Sequence, residues 1–270
     1  MNDVFGTALL DYQLGKCKED IITSTSISDE EPLNVSYFFR TFEEMPELEQ
    51  NALNLAKGSI LDIGCGAGSH SLVLKEKGLD VKCIDISPRA IKCCQLRGLD
   101  NAKVLNVLDE TETFDTLLLL MNGSGIFGSL EQTPKVLAHL KKLLNKNGQI
   151  LIDSSDIKYM YEDDDGGFWM DTHNAYYGEL EYTVRYKNKE DSSPWMYLDF
   201  DRLKTACAIV GLKCKKIQDG PHHDFLAQIT LNKSIKNRIY KKHLQTLEPL
   251  ERDNASIVDN FSLKYYLILR

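Results

Sequence analysis

The stretch LDIGCGAGSHSL, Leu61 to Leu72, decides how the chain is read. An apolar run ends in an acid, and three glycines follow, each separated by one residue. Helical spacing then resumes in SHSLVLKEKG and stops at Gly78. A buried strand, a glycine turn and a helix in that order open a βαβ unit. Open α/β sheets bind ligands at the carboxyl end of such a strand. Glycine there lets the backbone take positive φ and approach a guest closely. The pyrophosphate fingerprint wants G-x-G-x-x-G. Here Gly64, Gly66 and Gly68 give G-x-G-x-G, and Ser69 stands where the third fingerprint glycine would fall. Asp62, at the strand end, disfavours a phosphate and favours a cation. The expected guest is a nucleoside that carries positive charge.

Outward from this turn, strand and helix signals alternate. LDVKCIDIS reads as a second strand, and PRAIKCCQLRG as a helix opened by Pro88 and closed by Gly98. AKVLNV and FDTLLLLMN are the third and fourth strands, TPKVLAHLKKLLNKNG is an amphipathic helix, and QILIDSS is the fifth strand. The alternation predicts a doubly wound, mostly parallel sheet covered on both faces. After Ser155 the pattern changes. IKYMYEDDDGGFWMD reads as a loop, ELEYTVRYKNK as a half-exposed strand, and SSPWMYLDF as its hairpin partner. DFDRLKTACAIVG is a helix that Asp199 caps. LKCKKIQDG and DFLAQITLN extend the sheet at one edge with one antiparallel pair. Upstream, PELEQNALNLA is an amphipathic helix whose Leu48, Leu53 and Leu55 cover the sheet.

Two further acids end strands on the same edge. Asp85 closes the second strand, 21 residues after Gly64, where a carboxylate accepts both ribose hydroxyls of a nucleoside. Asp109, in NVLDE, follows the third. It either accepts from an adenine amino group or belongs to a solvated loop with Glu110. Asp62 and Asp85 also have a bland reading, as loop acids that cap helices.

LDIGCGAG, CIDIS, NVLDE and LLLLMNG together resemble the ordered motifs of class I S-adenosylmethionine-dependent methyltransferases. The resemblance covers residues 37–154 most strongly. It implies a seven-stranded Rossmann-like sheet with the seventh strand antiparallel near one edge, and S-adenosyl-L-methionine as cofactor. It implies that Asp62 and the backbone of Gly64, Cys65, Gly66, Ala67 and Gly68 hold the methionine part. Asp85 would take the ribose and Ile86 would pack on adenine, whose edge Asp109 would read. Met121, Asn122 and Gly123 would floor the pocket beside the methyl group. In many such enzymes an arginine or aromatic residue before the first strand closes over the cofactor. In YFFR that gives Arg40 to the methionine carboxylate and Tyr37 to the pocket, against a bland reading of packing aromatics and a surface arginine.

Methyl transfer needs a base only when the nucleophile holds a proton of high pKa. The candidates are His70, Tyr37 and Asp156, with Tyr159, His173, His222 and His223 behind them, and none stands out. His70 follows the glycine turn directly. His222 and His223 lie in a turn, where exposure is the bland reading. Cys65 is expected as a small side chain under the ligand, and Cys93 and Cys94 as one buried and one half-buried thiol. LLLLMNG is not the D/N-P-P-Y motif of amino-methylating enzymes, and no Pro-Cys nucleophile is present there. Both absences shift weight to a small-molecule acceptor. Tyr159, Tyr161, Phe168, Trp169, Tyr176, Tyr177 and Trp195 are expected on its wall or on a lid, and the acids of 162–165 either solvate that loop or attract a cationic acceptor.

The expected organisation is an N-terminal helical cap over 1–57, a core over 58–232 with an acceptor-side insertion at 156–198, and a C-terminal extension over 233–270. That extension packs on the core or makes a homodimer contact. Its basic stretch KSIKNRIYKKHLQ reads as a solvated face, because the formal net charge of -8 disfavours nucleic acid as a partner. Seven cysteines without a C-x-x-C pair suggest free thiols in a reducing cytoplasm, with neither disulfide framework nor zinc site. No leader is expected, and the longest apolar run is too short for a membrane span. An RNA or protein methyltransferase and a catalytically silent nucleoside-binding module are the alternatives; a nucleotide-dependent oxidoreductase is disfavoured by Asp62 and Ser69.

Overall fold

The computed structural model describes residues 2–162 and 176–232. His173, Phe168, Trp169, the acids of 163–165 and the extension over 233–270 lie outside the described residues. The first four strands of the sequence reading are β3 (Ser59–Ile63), β4 (Asp80–Asp85), β5 (Ala102–Val104) and β6 (Phe114–Leu119). The helices between them are α3 (Ser69–Glu76) and α4 (Pro88–Leu96). α5 (Thr133–Lys142) leads into β7 (Leu144–Ser155). β7 is longer than QILIDSS, because the polar stretch read as the helix end already runs as strand.

α6 (Phe200–Ile209) starts on Asp199, whose side chain accepts from the Arg202 N–H at 2.9 Å. It precedes β10 (Leu212–Asp219) and β11 (Asp224–Leu231). The order across the main sheet is β10-β11-β7-β6-β3-β4-β5. β3 to β7 run parallel. β11 is antiparallel to both β7 and β10, so the edge holds two antiparallel pairs rather than one.

Period-two alternation in the central strands divides the core between the two faces. Leu61, Ile84, Leu117, Ile150 and Ile152 pack with Val136, Leu137 and Leu140 of α5 and Leu203 and Cys207 of α6. Ile60, Leu118, Leu151 and Leu226 pack with Val73 and Leu74 of α3 and with Leu48 and Leu53 of α2 (Glu47–Leu55). Each such side chain is fully buried or nearly so, worth about 1.5–3 kcal/mol apiece.

The N-terminal segment is not only helical. After α1 (Val4–Gln13) come β1 (Ile21–Thr25) and β2 (Ser28–Leu33). They join the hairpin β8 (Glu179–Tyr186) and β9 (Lys189–Met196) in a second sheet ordered β2-β1-β8-β9. β2, SDEEPL, sits at the edge with its four central residues exposed, so it carries no alternating apolar signal. Trp195 of β9 lies where a Cβ on Gly125 would be, which anchors the second sheet beside the turn after β6. No helix among the described residues is long and apolar enough to cross a membrane.

Candidate active site

The order in which strands are laid down reverses between β3, which leads to β4 and β5, and the parallel β6, which leads to β7. That switch point places the carboxyl ends of β3, β4, β6 and β7 along one crevice. Gly64, Gly66 and Gly68 have φ of 72°, 54° and 81°, a conformation that side chains resist. The turn is held from several sides. Gly64 and Cys65 N–H groups both donate to Ile84 O, Gly66 N–H donates to Asp85 Oδ2 at 3.0 Å, and Arg97 Nη1 donates to Ala67 O at 2.6 Å. A Cβ on Gly68 would strike Leu99, so this glycine serves packing. A Cβ on Gly64 or Gly66 would meet nothing nearer than 3.9 Å. Two of the three glycines thus leave a rigid, open cradle.

Asp85 stands beside that cradle. Each of its oxygens takes one backbone N–H, from Gly66 and from Ser87, the latter at 2.8 Å. A carboxylate has about four acceptor positions, so two remain for hydroxyl donors. Burial raises its pKa, and the two N–H groups oppose this. Ile86, next along, is 53% exposed, and Leu108, in the turn of 3-10 helix after the neighbouring β5, is 41% exposed. Two bare apolar side chains flanking a half-buried acid suit a flat, weakly polar ring.

Asp62 differs from expectation. It is 2% exposed and accepts from Ser71 Oγ of α3 at 2.6 Å. The side chain braces the strand to the helix from beneath the turn, rather than standing at its mouth. Burial pushes its carboxyl up to about 6, with His70 and Ser71 partly offsetting that. Asp109 closes a turn of 3-10 helix and is exposed, while its neighbour Glu110 is buried against Lys82 at 2.7 Å.

Beneath the crevice lies a charged network that includes residues missed in the sequence. Arg40 Nη2 donates to both oxygens of Glu49 at 3.0 Å, and His70 Nε2 lies 2.7 Å from Glu49 Oε2. Burial works against the Glu49 charge, yet His70 and Arg40 outweigh it and hold the carboxyl below its ordinary value. His70 is raised despite burial, through Glu49 and Asp62. Its ring is 8% exposed and committed to Glu49, which places it poorly for a base acting on a substrate. Arg40 Nη1 is buried with no partner, and its guanidinium lies 3.8 Å over the Tyr37 ring. One of its two terminal nitrogens is therefore unused, at a cost that an anionic guest would remove. Glu49 was detectable in the sequence: it shares the apolar face of its helix with Ala52 and Leu53.

A cavity of about 260 Å³ opens beside the network, lined by Tyr37, Glu49, Met121, Asn122, Asp153 and Ser155 among others. Met121 and Asn122 have φ of 64° and 58°, and Gly123 begins a turn of 3-10 helix. Asp153 was also missed, although it directly follows the buried apolar run Ile150–Ile152 of β7. Asp156 serves the wall: it accepts from Tyr177 O–H at 2.8 Å and from the Lys158 N–H. Tyr176 donates to Asp199 at 2.6 Å, and Tyr177 Oη, its one hydrogen given to Asp156, lies 3.2 Å from the same carboxylate. His222 and His223 are exposed, the latter stacked on Tyr159. Cys65 faces α4, with its sulfur 3.8 Å from that of Cys94, and Cys93 and Cys94 are both fully buried.

A parallel sheet with one reversed strand and a glycine cradle at its switch point defines a class I methyltransferase fold. A family model described as "Methyltransferase domain" matches residues 38–188, more than half of the chain, and the chain belongs to that family. A SAM-dependent methyltransferase from Bacteroides fragilis, solved in complex with S-adenosyl-L-homocysteine, is 41% identical with a TM-score of 0.80. The match covers 85% of this chain and 95% of that one. CcbJ methyltransferase from Streptomyces caelestis has the same fold at 13% identity, with a TM-score of 0.54 and coverages of 69% and 90%. A ubiquinone biosynthesis O-methyltransferase of Xanthomonas oryzae pv. oryzae is 28% identical over 114 residues, 38% of this chain. The chain spans less than half of that relative, 45% of its length. The protein is an S-adenosylmethionine-dependent methyltransferase, and S-adenosylmethionine is its cofactor.

Proposed function

We propose that the enzyme methylates a small molecule bound in the cavity between Tyr37, Met121, Asn122 and Ser155. The observation that carries this reading is the cavity itself. Its lining sets Tyr37, Leu48 and Met121 beside Asn122, Asp153 and Ser155, the mix of apolar wall and a few polar groups that orients a small ligand. The similarity to a ubiquinone biosynthesis O-methyltransferase supports a small acceptor.

The residues present fit the cofactor. Gly64 and Gly66 leave the open cradle, and Asp85 keeps two acceptor positions for ribose hydroxyls. Ile86 and Leu108 flank the adenine position, and Arg40 Nη1 awaits the methionine carboxylate. Asp62 favours the cationic end through its buried charge rather than by contact. Asp109 is the weakest member of the set, since the buried acid of its turn is Glu110.

When bound, S-adenosylmethionine supplies a methyl group activated on a sulfonium. The chain's part is to position and to exclude water. Met121, Asn122 and Gly123 form the floor, and Tyr37 with the Arg40–Glu49 pair forms one wall. Among the described residues named from the sequence as bases, Tyr37 lines the cavity, beside the carboxylates of Glu49, Asp153 and Asp224; His70 and Asp156 are held by Glu49 and Tyr177.

The test is incubation with methyl-labelled S-adenosylmethionine and either a metabolite extract, RNA or protein. Label is expected in the small-molecule fraction. Label in RNA or protein alone would overturn the reading.

A further inference from the structure

We propose that Asp153 is a positioning residue whose carboxylate holds the turn Met121–Gly123 in the shape that floors the site. The proposal deepens, and rests on, the reading that this turn lies beside the homocysteine end of the cofactor.

The geometry is specific. Asp153 ends the inner part of β7, beside β6, with Leu119 paired to Ile152 just before it. Its Oδ2 accepts from the Met121 N–H at 3.0 Å and its Oδ1 from the Gly123 N–H at 2.9 Å. One carboxylate thus serves two backbone donors that have left the strand ladder. Between them lie two consecutive non-glycine residues at positive φ, 64° and 58°. Such residues persist only where their surroundings over-determine them. Gly123 is wedged as well, since a Cβ there would come within 2.6 Å of Leu119 Cβ. The Asn122 side chain donates to Met196 O at 3.2 Å and accepts from Ser124 and Ser154. Met121 Sδ accepts from Arg40 Nη2 at 3.6 Å, which links the turn to the charged network. Because both Asp153 oxygens are committed to the backbone, its task is geometric rather than proton transfer.

The charged groups around Asp153 come from several elements. Glu49 faces it from α2, His70 from α3, and Asp224 of β11 lines the same cavity. Burial and the Glu49 charge push its carboxyl up to about 6, against the turn N–H groups and His70. Protonation would turn one acceptor oxygen into a donor and strip one turn N–H of its partner. The turn should therefore loosen as pH falls through about 6. Asp62 titrates in the same window, so the test must separate the two.

The experiment combines amide hydrogen exchange with calorimetry, using S-adenosylhomocysteine and adenosine as probes on the full chain. In Asp153→Asn, exchange of the peptide spanning 121–123 should quicken at least tenfold at pH 7.5, and more so in Asp153→Ala, which keeps no acceptor. S-adenosylhomocysteine should bind at least fivefold more weakly to Asp153→Asn, while adenosine, which lacks the homocysteine end, binds as before. The drop in S-adenosylhomocysteine affinity between pH 7.5 and 5.5 should shrink by at least half in Asp153→Asn and by less in Asp62→Asn, where only the share carried by the Asp62 charge is lost. Wild-type exchange in Asp153→Ala would overturn the proposal, as would equal losses for both probes or an unchanged pH response in Asp153→Asn. If wild type fails to bind S-adenosylhomocysteine, the underlying reading of the site fails instead, and the exchange result still decides the role of Asp153 in the turn.

Discussion

Asp62→Asn should make the protein more stable and its cofactor site weaker. Asp62 is buried, and burial lifts its carboxyl from 3.8 to about 6. Each unit of such a difference is worth about 1.4 kcal/mol, so keeping the charge at neutral pH costs the folded state about 3 kcal/mol. An asparagine has the same shape, and its amide oxygen still accepts from Ser71 Oγ. Part of the gain is lost because Asp62 also supports the His70 charge. The net expectation at pH 7.5 is a stabilisation of about 1–3 kcal/mol, or a rise in Tm of roughly 2–10 °C for a chain of this size.

The sign of its pH dependence follows from the raised pKa. Above pH 6 the folded wild type carries the whole penalty. Between 6 and 3.8 it takes up a proton that the unfolded chain does not, so the penalty fades. The advantage of the variant should therefore be full above pH 6 and vanish by about pH 4. Urea unfolding at pH 7.5 and 4.5 measures this directly. Calorimetry should show S-adenosylhomocysteine weakened about three- to tenfold and adenosine unaffected, since only the former carries an ammonium group. A variant that is less stable at pH 7.5, or that loses both ligands alike, would show that the acid is only a brace and refute the electrostatic reasoning.

Three other outcomes follow from the geometry. Arg40→Met leaves Glu49 buried with only His70, and should cost about 3–5 kcal/mol; Arg40→Met/Glu49→Gln should recover much of it in a double-mutant cycle of urea unfolding. Gly125→Ala drives a methyl into the Trp195 ring and should destabilise by about 1–3 kcal/mol, with relief when Trp195 is replaced by alanine. Gly64→Ala meets no atom nearer than 4.0 Å but imposes a side chain at φ 72°, so its expected cost is only about 1–2 kcal/mol. Its larger effect should be a loss of S-adenosylhomocysteine affinity by calorimetry.

Strong periodicity made the main sheet legible. Ile60 and Leu61 alternate between two packed faces, and Asp85 and Ile86 close their strand where spacing from the glycines says they should. What failed had physical causes. β2 is an exposed edge of acidic residues and a proline, so it carries no period-two signal. Its partner β1 pairs on its other side with β8, about 160 residues further along, and no local pattern reports that pairing. Asp62 was read as an open acid because sequence gives its strand position but not the direction of its side chain relative to Ser71. Glu49 and Asp153 were legible in principle, one on an apolar helix face and one directly after a buried apolar run. Their partnership with Arg40, His70 and the Met121 turn was not, since it joins segments scattered over more than 100 residues.

The central claim is that the cradle of Gly64 to Gly68, with Asp85 beside it, holds the nucleoside end of the cofactor. Calorimetric titration of S-adenosylhomocysteine and adenosine into wild type and Asp85→Asn tests it most directly. The asparagine keeps one oxygen for the turn but loses the charged acceptor and its spare positions. Both ligands carry the ribose, so both should bind at least tenfold more weakly, which corresponds to about 1.4 kcal/mol or more. Unchanged affinity for both in a folded Asp85→Asn would contradict the account and place the nucleoside elsewhere.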